Sequence, residues 1–437
     1  VIVPMIKEGI FAGALLAFTM SFDDFVISYF VSGNGVKNIS IVVYNMTKRI
    51  NPTINALSTI VIVVIVLVLL FANLIMPKLQ ASTVKKMDPK KRRIVAVVTA
   101  AAVVLVLGKW TLVSQGNHVL RVYNAGEYMD LSLLDKFEKQ YNCTVVYETF
   151  ESNEMMYTKL ASGETYDVLV PSDYMIERLI KEEYLQALDW KKIPNSKNLL
   201  PEVQNKDYDP GNRYSCPYFW GTVGILYNKN VVSQEDLDKE GWNILCDEKY
   251  KGDLYMYDSE RDSFMIALKA LGYSMNTTDL GEIQEAYEWL INQRDTMDPI
   301  YAGDDVIDNM ISGNKAMAVV YSGDASYIIS ENPDLDYYTP KQGTNTWYDA
   351  MVITKDCNEV DLAHEFINFM LDDENALSNT EEVGYTSTVK SAFEEMKNGT
   401  YEGISSYIPQ IDNPKNEIFG YQKPKIKQKF AEPSTTV

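Results

Sequence analysis

The chain has 437 residues, enough for more than one domain, with 40 Lys/Arg against 60 Asp/Glu and a net charge of −20. Two histidines and four widely spaced cysteines leave little material for a His-rich zinc site, a Ser-His-Asp triad or a disulfide framework. Charge is unevenly placed: residues 1–109 hold 12 basic and 4 acidic side chains, residues 110–437 hold 28 and 56. So acidic a second part excludes a phosphate backbone, and hence nucleic acid, as its partner.

Residues 9–31 are almost wholly apolar, interrupted by the charged pair Asp23 and Asp24, and read as one helix of spanning length. The two carboxylates face either a bundle interior or the outer interface; the sequence leaves both open. Residues 32–54 are polar with turn signals, and residues 56–76 form the clearest spanning helix. Three Lys/Arg in 32–54 against seven in 77–93 place the later loop inside. Lys85, Lys86, Lys90, Lys91, Arg92 and Arg93 then precede an apolar run over 94–113, with Lys109 and Trp110 at interfacial depth. This third span is expected to be an uncleaved anchor that delivers residues 114–437 to the outside. A cleaved signal peptide is the rival reading. The first residue is Val1 rather than Met, so a fragment is expected.

The runs GALLAFTMSFDDFVIS (13–28) and INALSTI (54–60) make residues 1–80 similar to the end of a permease of the polyamine (spermidine/putrescine) ABC importers. That resemblance implies two permease helices in 1–80, a basic cytoplasmic linker at 81–93 and the anchor at 94–113.

From His118 the pattern becomes α/β. LRVYN alternates like a strand, LSLLDKFEKQY has helical spacing, and CTVVYET, NEMMYTKLAS and YDVLVPS continue strand, helix, strand. That alternation predicts βαβ units and a largely parallel sheet, in two lobes because one core cannot serve so long a segment. The tail at 426–437 is expected to be disordered.

Open sheets bind ligands beyond strand ends. There this sequence collects acids and rings: Glu127 and Tyr128; Ser172, Asp173 and Tyr174; Asp258, Glu260 and Asp262; Tyr321 with Asp324. Trp347 and Asp349 stand two apart, on one face of an extended segment. Carboxylates with aromatic faces suit an elongated organic cation; an anion would want Arg, Lys or helix N-termini.

The stretches TFESNEMMYTKL, YDVLVPSDY, YSCPYFWGTVGILYN, ALKALGYSMNTTD and EEVGYT make residues 118–425 resemble the substrate-binding protein of the same importers. The resemblance implies a two-lobed periplasmic-binding-protein-like domain of type II. Lobe one would be 118–223 with 350–398, lobe two 224–349 with 399–425. It implies a ligand-binding set of Glu127, Tyr128, Ser172, Tyr174, Asp262, Tyr321, Trp347, Asp349 and Tyr385. Ala125-Gly126 stand where the family commonly has Trp-Thr, Ser259 replaces a family acid, Asp262 a Glu and Tyr321 a Trp. Asp258 or Glu260 would compensate, and residues 419–422 hold the neighbourhood of a missing glutamine. Glu151 is expected outside the pocket loops.

The whole reads as polyamine import in a bacterial plasma membrane: an extracytoplasmic binding domain fused to its permease. Its partners would be a second permease subunit and a separate ATPase, because no phosphate-binding GxxxxGK[ST] loop is present. No enzyme activity, cofactor or metal is expected. A membrane-anchored binding protein or sensor for another organic cation is the alternative.

Overall fold

The computed structural model describes residues 118–303 and 305–421. The three expected spans, the basic linker and the 426–437 tail lie outside the described residues. Among the described residues no helix is long and apolar enough to cross a membrane.

The chain begins with β1 (Val119–Ala125), α1 (Ser132–Tyr141), β2 (Thr144–Phe150), α2 (Asn153–Ala161), β3 (Val168–Leu169) and α3 (Asp173–Lys181). It crosses on β4 (Ser215–Asn228) and continues through α4 (Gln234–Glu240), β5 (Leu254–Tyr257), α5 (Glu260–Leu271) and α6 (Leu280–Met297). Next come β6 (Ile300–Ala302), α7 (Val306–Ile311), β7 (Met317–Tyr321), α8 (Ser322–Glu331) and β8 (Leu335–Tyr338). It returns on β9 (Thr346–Ile353), followed by α9 (Val360–Met370), α10 (Asp373–Val383), β10 (Thr386–Ser387) and α11 (Lys390–Asn398).

The strand order β2-β1-β3-β9-β4-β7-β5-β6 comprises two sheets that share β4. Residues 215–222 of β4 pair with β9, and residues 223–227 pair with β7. Each sheet is the centre of one lobe. Only the wings are parallel: β1 with β2 and β3, β5 with β6 and β7. At the centre β9, β4, β7 and β8 run antiparallel, so the expectation of a largely parallel sheet is corrected to a mixed one. The reason is topological. A chain that crosses to a second lobe and comes back must lay its two crossing strands in opposite directions.

Burial explains β4's composition: every residue except Asn228 is buried, which suits its run of Phe219, Trp220, Val223, Ile225 and Leu226. Gly221 and Gly224 sit where the two sheets meet. A Cβ on Gly221 would lie 2.6 Å from the Trp347 ring, and one on Gly224 2.4 Å from Tyr337. Only hydrogen at these positions lets the flanking rings close onto the crossing strand.

Candidate functional site

A cavity of about 670 Å³ opens between the lobes, walled by loops that follow the strands. From the β1–α1 loop, Tyr128 donates its hydroxyl to Asp349 Oδ2 at 2.6 Å. Its carbonyl is held by Asn124 Nδ2 (3.1 Å) and the Tyr218 hydroxyl (2.7 Å), so the ring is fixed from behind. From the β3–α3 loop, Ser172 exchanges hydrogen bonds with the Asn153 side chain and lies beside Asp349 in an isolated bridge. Asp173 accepts from the backbone N–H groups of Tyr174 (2.6 Å) and Tyr348 (3.0 Å). Burial nevertheless pushes its carboxyl up to about 8.

The second lobe supplies Asp262 in the first turn of α5. Ser259 is the N-cap of that helix, its Oγ accepting the Asp262 N–H at 3.3 Å. The serine thus acts structurally, fixing the turn that aims Asp262. Tyr321, at the end of β7, donates to Asp262 Oδ2 at 2.9 Å. Strand alternation puts Trp347 and Asp349 on one face of β9, as expected.

The two carboxylates share a pattern. Asp262 is buried and Asp349 half-buried, and each has one oxygen held by a tyrosine while the other, Oδ1, is itself buried without a partner. Burial raises both carboxyls above the ordinary aspartate value, against the hydrogen bonds that favour the ion. Burial and the facing carboxylates also hold the Tyr128 and Tyr321 phenols well above their usual range, so both remain donors. Rings link the acids in sequence: Tyr321 to Trp347 at 5.9 Å, Trp347 to Tyr385 at 5.6 Å, Tyr385 to Tyr128 at 5.6 Å. Trp347 Nε1 and Asn345 Oδ1 are likewise buried without a partner. An unpaired buried acceptor costs about 1–3 kcal/mol, which a donor entering the cavity would relieve. Two such acceptors joined by aromatic faces suit a ligand with an ammonium at each end and methylenes between.

Of the expected set, Tyr128, Ser172, Tyr174, Asp262, Tyr321, Trp347, Asp349 and Tyr385 line this cavity. Glu127 does not: it is exposed, in a left-handed turn (φ 51°) that carries it away from the cavity. Of the two compensating acids, Glu260 lines the cavity and the exposed Asp258 does not. Glu151, expected outside, lines it together with Phe150, Asn153 and Glu154 of the β2–α2 loop. The strand-end rule, applied to β2 as well, points to that loop. Arg261 is absent from the expected set because a cation is out of place in a cation site, yet it lines the cavity, as does Phe419. Among the described residues no cluster of His, Cys, Asp and Glu could hold a metal ion.

Two lobes on two sheets, two crossing strands and a ligand-sized cleft between them define a two-lobed solute-binding protein of the periplasmic-binding type. Residues 132–402 match the family of bacterial extracellular solute-binding proteins. The Escherichia coli spermidine/putrescine-binding periplasmic protein is 34% identical over 283 residues, 64% of this chain and 80% of that protein. A putrescine/cadaverine-binding protein of Pseudomonas aeruginosa is 33% identical over 287 residues, 62% of this chain and 80% of that protein. The crystal structure of PotD, the spermidine/putrescine ABC transporter substrate-binding protein of Streptococcus pneumoniae, has a TM-score of 0.64 at 37% identity. That alignment covers 73% of this chain and 98% of PotD. The chain belongs to the bacterial extracellular solute-binding proteins, in the branch of the spermidine/putrescine-binding proteins.

Proposed function

We propose that this domain captures a linear polyamine outside the cytoplasm and hands it to an ABC importer. One observation carries the reading: Asp349, which β9 places on the first-lobe sheet beside Phe219 and Ser172 although the expected boundary put it in lobe two, and Asp262 of the second lobe each bring a buried, unpartnered oxygen to the cleft, with a run of aromatic rings between them. Relatives whose names specify spermidine, putrescine and cadaverine support the chemical class. The test is calorimetric titration of the full chain with putrescine, cadaverine, spermidine, spermine and neutral 1,4-butanediol. The amines are expected to bind and the diol is not. Equal binding of the diol, or no amine binding, overturns the reading.

The same proposal extends beyond the described residues: 1–80 as the end of the permease, 94–113 as anchor and a separate ATPase as partner. A domain tethered by the short 114–117 linker would stand near its permease at an effective concentration of order mM. A cysteine placed at Lys86 is then expected to resist an impermeant thiol reagent on intact cells, and one placed at Glu395 to react. The reverse pattern would reject the fusion.

A further inference from the structure

One rim of the cleft, where α3 of the first lobe faces α5 of the second, is joined by the chain itself. Arg261 leaves the first turn of α5 and reaches the other lobe. Its guanidinium lies 3.7 Å over the Tyr174 ring and pairs with Glu154 at 3.4 Å. Tyr174 donates its hydroxyl to the other Glu154 oxygen at 3.2 Å, so ring and carboxylate form a ready-made socket. The guanidinium also lies 5.2 Å from the centre of the Phe419 ring.

Phe419 belongs to a strap, residues 415–421, attached to both lobes. At its first end Glu417 pairs with the buried Lys269 of α5 and accepts from Ser274 Oγ (2.6 Å) and the Met275 N–H (2.9 Å). Asn276 holds the next residues through the Ile418 carbonyl (2.8 Å) and the Gly420 N–H (2.8 Å). The other end is on α3: the Tyr421 N–H donates to Glu177 at 2.5 Å and its hydroxyl to Glu182 at 3.3 Å. Arg178 and Lys181 lie 5.7 and 5.5 Å from its ring centre.

We propose that Arg261 and the strap form an inter-lobe clasp that sets how far the lobes part and how fast ligand leaves. Four residues from Glu417 to Tyr421 reach about 14 Å at full extension, so this rim cannot open widely while both ends hold. The Glu417 end is locked by a lysine side chain only 5% exposed, whereas Tyr421 grips side chains that are 22–53% exposed. Opening therefore releases Tyr421 and withdraws Arg261 from its socket, while the strap stays on the second lobe. Cation–π contacts of this kind set how strongly the socket resists.

The test uses the full chain carrying two nitroxide labels, introduced by non-cysteine chemistry at the exposed Asp207 and Glu235, one on each lobe. The inter-lobe distance without ligand is compared for wild type, Tyr421→Ala, Arg261→Gln and the double variant. Wild type is expected to give one narrow distribution, each single variant a broader one, and the double variant a displaced second population. Putrescine is expected to dissociate about three- to thirty-fold faster from the double variant. An unchanged distance distribution in the double variant overturns the clasp. The distance measurement does not depend on what the cleft binds. Displaced lobes in a protein that binds no putrescine therefore support the clasp while rejecting the polyamine reading.

Discussion

Asp349→Asn and Asp262→Asn are each expected to weaken polyamine binding about 10- to 150-fold, the equivalent of about 1.5–3 kcal/mol for one charged hydrogen bond. Asparagine preserves the shape and still accepts from Tyr128 or Tyr321, so only the charge is lost. The ligand-free protein should respond in the opposite sense. Burial raises both folded carboxyl pKa values above the unfolded value of about 4. A raised carboxyl contributes stability that is complete below about pH 4 and is lost as pH rises through its folded value. Each variant should therefore flatten that decline and raise the ligand-free melting temperature at neutral pH. Glu235→Gln, on the exposed surface of α4, is the control; Glu151 cannot serve because it lines the cavity. Calorimetric titration at one pH and thermal melts across several separate the effects. Aspartate variants that bind like wild type would show that the amines sit elsewhere.

Trp347→Ala is expected to cost about 2–3 kcal/mol of binding, roughly 30- to 150-fold, through lost cation–π attraction and lost apolar cover for the methylenes. The indole is 7% exposed and stands between Tyr321 and Tyr385, so its removal should also lower stability by about 3 kcal/mol. Gly221→Ala separates position from presence. Its Cβ would meet Ser322 Oγ at 2.5 Å and the indole at 2.6 Å, forcing the ring from its place without deleting it. Both variants should lose affinity for putrescine. If Gly221→Ala binds normally while remaining folded, the indole's placement does not matter and only its area does.

Much of this site was legible because strand-end chemistry is local. Trp347 and Asp349 share a face through two-residue alternation, and Asp262 stands just beyond the end of β5. The loops around Tyr128, Ser172 and Tyr321 follow strands readable from their apolar runs. The rest depends on the lobes meeting. Arg261 looks foreign to a cation site until Tyr174, Glu154 and Phe419 are seen around it. Glu127 stands next to Tyr128 in sequence, but a left-handed turn separates them, and spacing carries no sign of φ. The antiparallel centre was hidden for a related reason: a strand's direction follows from which lobe the chain has just left.

The two crossings pair with each other. Thr222 faces Thr346 in register, and the Val223 N–H donates to the Asn345 carbonyl at 3.2 Å. A two-stranded ribbon bends readily out of its plane, but sliding one strand past the other breaks the ladder. Between the lobes the ribbon therefore favours bending over sliding. Ligands of different length would then change the angle at which the lobes stop, while the axis about which they turn stays the same. Whatever reads the closed form from outside thus meets the same two surfaces on one path, and differences among ligands reach it as a single coordinate.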